Sequence, residues 1–138
     1  MTNQELNDQG LPHGTRLRAD EISPREFAQR FNANPTSVKL IDVRTLTEWN
    51  TARVAGSIHA PIESIEQNPE DLDVEGASLI GFICHHGVRS LRAVLALQSL
   101  GYENTRSIIG GIELWSQAVD ANIPRYTRDR ITGKCTTR

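Results

Sequence analysis

The sequence predicts an α/β fold, with a central, mainly parallel sheet flanked by helices. Three observations point there. Short apolar runs of strand length alternate with stretches of helical period. One run, residues 78–83, is apolar almost throughout, as a strand covered on both faces requires. The 138 residues are 38% hydrophobic and 23% charged, which suits one domain with its own core and excludes a disordered or fibrous chain.

Residues 1–18 are polar and without period, and read as a mobile or loosely packed arm. A helix opens at Ser23, with Pro24 at its first position, Glu26 placed to complete a capping box, and Phe27 and Phe31 on its inner face. Residues 38–43 read as a strand, 46–50 as a short helix, and 56–61 as a brief extended piece closed by proline. Residues 63–77 are acidic and loop-rich, with room for one helical turn. After the apolar strand, residues 90–100 form a helix that is apolar nearly all round, predicting burial between the sheet and its neighbours, with Gly101 ending it. Residues 106–109 are a further strand, Gly110-Gly111 a tight turn, and 112–119 a last helix with Trp115 inward.

The chemistry concentrates in Cys84-His85-His86-Gly87-Val88-Arg89. A buried strand runs into Cys84, and open α/β sheets bind ligands at the carboxyl ends of their strands. The loop leads into a helix N-terminus, whose free N–H groups and dipole favour a thiolate, the nucleophilic form of cysteine. Gly87 lets the loop curl so that those N–H groups converge, and Arg89 adds a fixed positive charge. His85 and His86 fill the loop; no second ligand pair stands at a spacing that makes them a zinc site. Arg89 has two possible jobs, contact with an anionic donor or pairing with Asp42 or Glu48, and pairing is favoured because an unpaired buried carboxylate is costly. Trp49 and Trp115 read as core. Cys135 lies in a polar tail and reads as a bystander, and two cysteines are too few for a disulfide framework.

A cysteine followed by four residues and an arginine resembles the active-site loop of the rhodanese family of sulfurtransferases. Leu40-Ile41-Asp42-Val43-Arg44 is similar to that family's Asp-Val-Arg element, with Glu48-Trp49 after it. Arg53-Val54-Ala55-Gly56-Ser57-Ile58-His59-Ala60-Pro61 resembles its Gly-His-Ile-Pro-Gly-Ala-Ile stretch, and Gly110-Gly111…Trp115…Pro124 its ending. The likeness covers roughly residues 20–126, leaving 19–126 as a rhodanese-like domain between the arm and a polar tail at 127–138. It implies sulfane-sulfur transfer through a Cys84 persulfide, from a small-molecule donor such as thiosulfate or a persulfide to a thiol or protein acceptor, with Cys84 catalytic, His85, His86, Gly87, Val88 and Arg89 forming the substrate loop, Asp42 and Glu48 supporting it, and neither metal nor organic cofactor. Glu48, as a carboxylate near that edge, would repel a thiosulfate dianion.

Two other readings share these residues: a persulfide carrier within a protein relay, and an enzyme like the cysteine phosphatases or arsenate reductases. The phosphatase loops hold one residue more between cysteine and arginine. The net charge is −2 and the basic residues are scattered, against a nucleic-acid surface. No apolar run approaches the roughly 20 residues that span a bilayer. The opening residues carry no secretory pattern. The expectation is a cytoplasmic protein with reduced thiols and no membrane partner.

Overall fold

The computed structural model describes residues 5–138. Five parallel strands form the central sheet: β1 (Glu21–Ile22), β2 (Val38–Asp42), β3 (Ile58–His59), β4 (Leu79–Ile83) and β5 (Thr105–Ile108), in the spatial order β1-β5-β4-β2-β3. The helices are α1 (Pro24–Ala33), α2 (Leu46–Thr51), α3 (Ile62–Gln67), α4 (Val88–Ser99) and α5 (Gly111–Ala118), with a single 3-10 turn at Pro69–Asp71. The α/β class and the parallel sheet follow the expectation.

The strand period divides the core in two. Leu79 and Ile83 of β4 face the layer that holds Phe27, Phe31, Ile112 and Trp115. Ile80 and Phe82 face the layer that holds Ile62, Ile65, Val94 and Leu97. Cys84 continues the second series, so its side chain turns to the α4 side of the sheet. In β2, Leu40 and Ile41 split the same way. The register sets Asp42 beside Ile83, so β2 and β4 end together at one edge.

Several local expectations need correction. Ser23 does cap α1 by accepting from the Glu26 N–H at 3.1 Å, but the Glu26 carboxylate pairs with Arg30 rather than closing a box. The complete capping box belongs to α2, between Thr45 and Glu48. Residues 63–77 hold more helix than one turn. The α4 helix is not buried all round: Ala93, Val94 and Leu97 are enclosed, whereas Leu95 and Leu100 face solvent. Trp115 is buried, while Trp49 is half-buried, stacked on His59 and with the Arg53 guanidinium 4.8 Å from its ring centroid.

Both ends are more structured than their composition suggests. Residues 1–4 of the expected arm lie outside the described residues. From Glu5 on, the arm is a compact turn in which Asn7 Oδ1 accepts from the N–H of Gln9 and Leu11, and Leu11 is buried. The expected polar tail is instead an antiparallel hairpin, β6 (Tyr126–Arg128) and β7 (Cys135–Thr137). Its register sets Cys135 opposite Arg128, and the thiol is half-buried against the core. Among the described residues no helix is long and apolar enough to cross a membrane.

Candidate active site

Strand β4 ends at Ile83, and the next residue places its sulfur under the first turn of α4. The Gly87 N–H donates to Cys84 Sγ at 3.1 Å and the Ser90 N–H at 3.3 Å. Ser90 Oγ also lies 3.3 Å from the sulfur and is tied to Ser107 Oγ at 2.7 Å, which joins β5 to the loop. Gly87 makes the curl possible, with φ of 99° in the left-handed region. A side chain there would also crowd the Gly110 backbone nitrogen at 3.1 Å.

The loop is held from its far side by α5. The N–H groups of Ile112 and Glu113 donate to the carbonyls of Cys84 and His85 at 2.8 and 3.2 Å. That approach needs Gly111, because a Cβ there would overlap both carbonyl oxygens. The Gly110-Gly111 turn thus positions the cysteine loop as well as starting a helix.

Of the two carboxylates expected beside Arg89, Glu48 takes the place. Arg89 Nη1 and Nη2 donate to its two oxygens at 2.7 and 2.9 Å, a bidentate pair. Asp42 does not reach Arg89, because Arg44, two residues along, already holds both of its oxygens. Arg44 is wholly buried, and its remaining donors go to the backbone carbonyls of Glu48 and Ala52 and to the Tyr126 hydroxyl. Tyr126 in turn donates to Glu48 at 2.7 Å. Asp42, Arg44, Tyr126, Glu48 and Arg89 therefore form one hydrogen-bonded chain, buried except at Arg89, running from the end of β2 to the cysteine loop.

Burial alone would raise the Glu48 carboxyl. Hydrogen bonds from Arg89 and Tyr126, with the charges of Arg89 and Arg128, outweigh it and hold the group at about 2. Burial pushes the Tyr126 hydroxyl well above its ordinary range, and its bond to Glu48 works in the same direction. His85 is pushed down to about 4, chiefly by burial and then by the neighbouring His86. It therefore stands neutral near pH 7, its Nε2 3.1 Å from the Tyr126 carbonyl and its ring stacked on the Tyr126 ring. His86 is exposed and packs against the His85 ring.

Above the sulfur opens a cavity of about 350 Å³, lined by the loop residues Cys84, His85, His86, Val88 and Arg89 and by Thr127, Arg128, Arg130 and Arg138. The second group was not legible as a site. Tyr126 and the hairpin arginines sit in a polar stretch with no periodic signal, and Ser90 and Ser107 look like ordinary element residues. In retrospect, the excess of thirteen arginines over two lysines was the available signal, because arginine suits bidentate pairing with carboxylates and oxyanions. Among the described residues no cluster of three or more metal-ligating side chains forms.

Comparison with known proteins identifies the family and the fold. A family model described as the rhodanese-like domain matches residues 23–118. The chain is 37% identical over 87 residues to the adenylyltransferase and sulfurtransferase uba4 of Ogataea parapolymorpha, covering 63% of this chain and 22% of that protein. It is 28% identical over 96 residues to the putative sulfur carrier protein YrkF of Bacillus subtilis, covering 70% of this chain and 50% of that protein. The chain thus spans from about a fifth to half the length of these curated relatives. Among solved structures, a rhodanese-related protein from Thermoplasma volcanium superposes with a TM-score of 0.57 at 29% identity, over 69% of this chain and 88% of that one. The matched stretch carries the whole parallel sheet apart from its first strand, both helical layers and the cysteine loop, and the chain belongs to the rhodanese-like domain family.

Proposed function

We propose that the protein transfers sulfane sulfur through a persulfide on Cys84. The observation that carries this reading is the sulfur itself, held by the Gly87 and Ser90 N–H groups at the base of an arginine-lined cavity. The Cys84 thiolate attacks the outer sulfur of a donor. With thiosulfate, a Cys84–S bond forms, the donor's S–S bond breaks, and sulfite leaves with the bonding pair. A thiolate or cyanide then attacks the terminal sulfur and releases the Cys84 thiolate. Backbone N–H groups fixed around the sulfur favour the anionic states on this path without reorganising. The repulsion expected from Glu48 is answered by its pairing with Arg89 and Arg128.

The likeness to a putative sulfur carrier supports a second reading, a relay module that hands sulfur to another protein with little small-molecule turnover. Cyanide turnover measured beside transfer to candidate acceptor proteins separates the two. Phosphoryl transfer is disfavoured because both terminal nitrogens of Arg89 are engaged by Glu48 and the loop is one residue shorter than in the phosphatases.

Intact mass after thiosulfate treatment tests the proposal. The wild type and Cys135→Ser are expected to gain one sulfur and Cys84→Ser none, with aryl phosphate hydrolysis negligible throughout. A sulfur retained in Cys84→Ser, or lost in Cys135→Ser, overturns the assignment.

A further inference from the structure

The loop that follows Cys84 begins with His85 and closes with Arg89. The N–H groups that reach the sulfur belong to Gly87 and Ser90, inside the loop and just past its end. Where His85 and Arg89 sit therefore decides how those donors are aimed. One residue reaches both from outside the loop. It is Tyr126, the first residue of β6, and it lies beyond residues 23–118, which the family model matches.

The hydroxyl works on Arg89. Its single proton has a fixed direction: Arg44 Nη1 can only donate, and does so to the Tyr126 oxygen at 3.0 Å, which leaves the hydroxyl proton for Glu48 Oε2 at 2.7 Å. The same Oε2 accepts from Arg89 Nη2 at 2.9 Å, and Oε1 accepts from Nη1 at 2.7 Å. Oε1 is also held by Thr45, whose hydroxyl donates at 3.1 Å, whereas among the described residues Oε2 accepts only from Arg89 and Tyr126. The tyrosine thus sets the tilt of the carboxylate, and a planar fork on Arg89 follows the plane of the carboxylate it grips.

The ring and the carbonyl work on His85. The two rings stack with centroids 4.0 Å apart and 9° from parallel, and His85 Nε2 lies 3.1 Å from the Tyr126 carbonyl oxygen. A carbonyl only accepts, so the neutral imidazole carries its proton on Nε2 and keeps Nδ1 bare. Tyr126 is 1% exposed, and it is not among the residues that line the cavity. Whatever it contributes to the reaction passes through the loop and not through contact with the donor.

We infer that Tyr126 is a positioning residue for sulfur transfer, holding Arg89 through Glu48 and His85 through its ring and carbonyl, so that the C-terminal hairpin fixes the loop around Cys84. The inference rests on the persulfide reading of Cys84. Its physical weight comes from the tolerance of the step: a displacement of about 1 Å in a reacting arrangement can cost about a hundredfold in rate. The hydroxyl is separable from the fold, because Arg44 Nη1 also reaches the Glu48 carbonyl at 3.3 Å and keeps an acceptor when the hydroxyl is removed.

Tyr126→Phe removes the hydroxyl and keeps the ring and the carbonyl. The rate of Cys84 persulfide formation is read by intact mass in single turnover over a range of thiosulfate concentrations. In Tyr126→Phe the maximal rate is expected to fall about tenfold or more, the size of one lost hydrogen bond to a charged group. The thiosulfate concentration giving half that rate should stay as in the wild type. In Glu48→Gln, where the two-pronged grip on Arg89 is already broken, adding Tyr126→Phe should cost little more, whereas a tyrosine acting only on the fold would cost the same in both backgrounds. Nitrogen NMR of the wild-type imidazoles near pH 7 reads the second arm without any variant, and His85 is expected as the Nε2–H tautomer. An unchanged rate in Tyr126→Phe, losses that multiply in the double variant, or an Nδ1–H tautomer at His85 each overturn the inference, while persulfide formation in the wild type leaves the sulfur-transfer reading standing. A wild type that forms no Cys84 persulfide overturns both.

Discussion

Two arginine–carboxylate pairs lie at the same edge of the sheet and differ in nearly every physical respect. Asp42 and Arg44 are two residues apart, and neither side chain has any exposed surface. Glu48 and Arg89 are 41 residues apart, and Arg89 keeps 22% of its side chain exposed at the cavity. In the first pair Arg44 spends its donors on Asp42, two backbone carbonyls and Tyr126, all of them inside the protein. It clamps the end of β2 to α2 and to the hairpin. The second pair joins α2 to the cysteine loop and faces the space where substrate would lie. A charge pair closed to water serves the fold, and one left open at a single face can also serve the chemistry. Tyr126 connects the two, accepting from Arg44 and donating to Glu48.

Breaking the closed pair should have the largest effect. Arg44→Ala leaves Asp42 buried with its partner gone, and such losses cost about 3–5 kcal/mol. Urea denaturation should show this loss, while sulfur transfer per folded molecule stays closer to wild type than in any variant of the open pair. An Arg44→Ala protein of wild-type stability would mean that the clamp is not structural.

Acid should act on the open pair. Glu48 stands at about 2 in the folded chain against an ordinary 4.5, so its contribution is complete above pH 4.5 and is lost as the pH falls toward 2. His85 stands at about 4 against 6.5, and the unfolded chain takes up that proton first, so stability declines as the pH falls from 6.5 toward 4. Each limb should have a slope of at most about 1.4 kcal/mol per pH unit per proton. Denaturation midpoints measured across pH should lose the upper limb in His85→Asn and the lower one in Glu48→Gln. If both limbs survive in these variants, other groups carry the acid response.

The mildest change sharpens the comparison most. Arg89→Lys keeps the charge but loses the fork, so the melting temperature should fall by the equivalent of about 1 kcal/mol, with a larger proportional loss of sulfur transfer. A raised KM with an unchanged melting temperature would make Arg89 a donor-binding group and remove the contrast between the two pairs.

What could be read from the chain alone was carried by signals contained within a few residues. The short strand-length run at Val38–Asp42, the apolar run ending at Ile83, a cysteine before a glycine and a helix, and Gly110-Gly111 before α5 together define the sheet, its loaded edge and the loop. Each follows from backbone geometry or from a period that neighbouring side chains share. Where the readings failed, the deciding partner was distant. Tyr126 meets Glu48 across 78 residues, and the hairpin that carries it has no strong alternation, so its polar residues read as a tail. Leu95 and Leu100 are as apolar as their buried neighbours, and only the placement of α4 on the sheet turned them outward. The sequence by itself determined which cysteine stands between a buried strand and a helix N-terminus and which edge of the sheet presents it, because those depend on local conformation. The tertiary structure decided which carboxylate holds Arg89 and which arginines surround the sulfur, because a charged side chain at this edge is settled by whichever partner the fold brings within hydrogen-bonding distance.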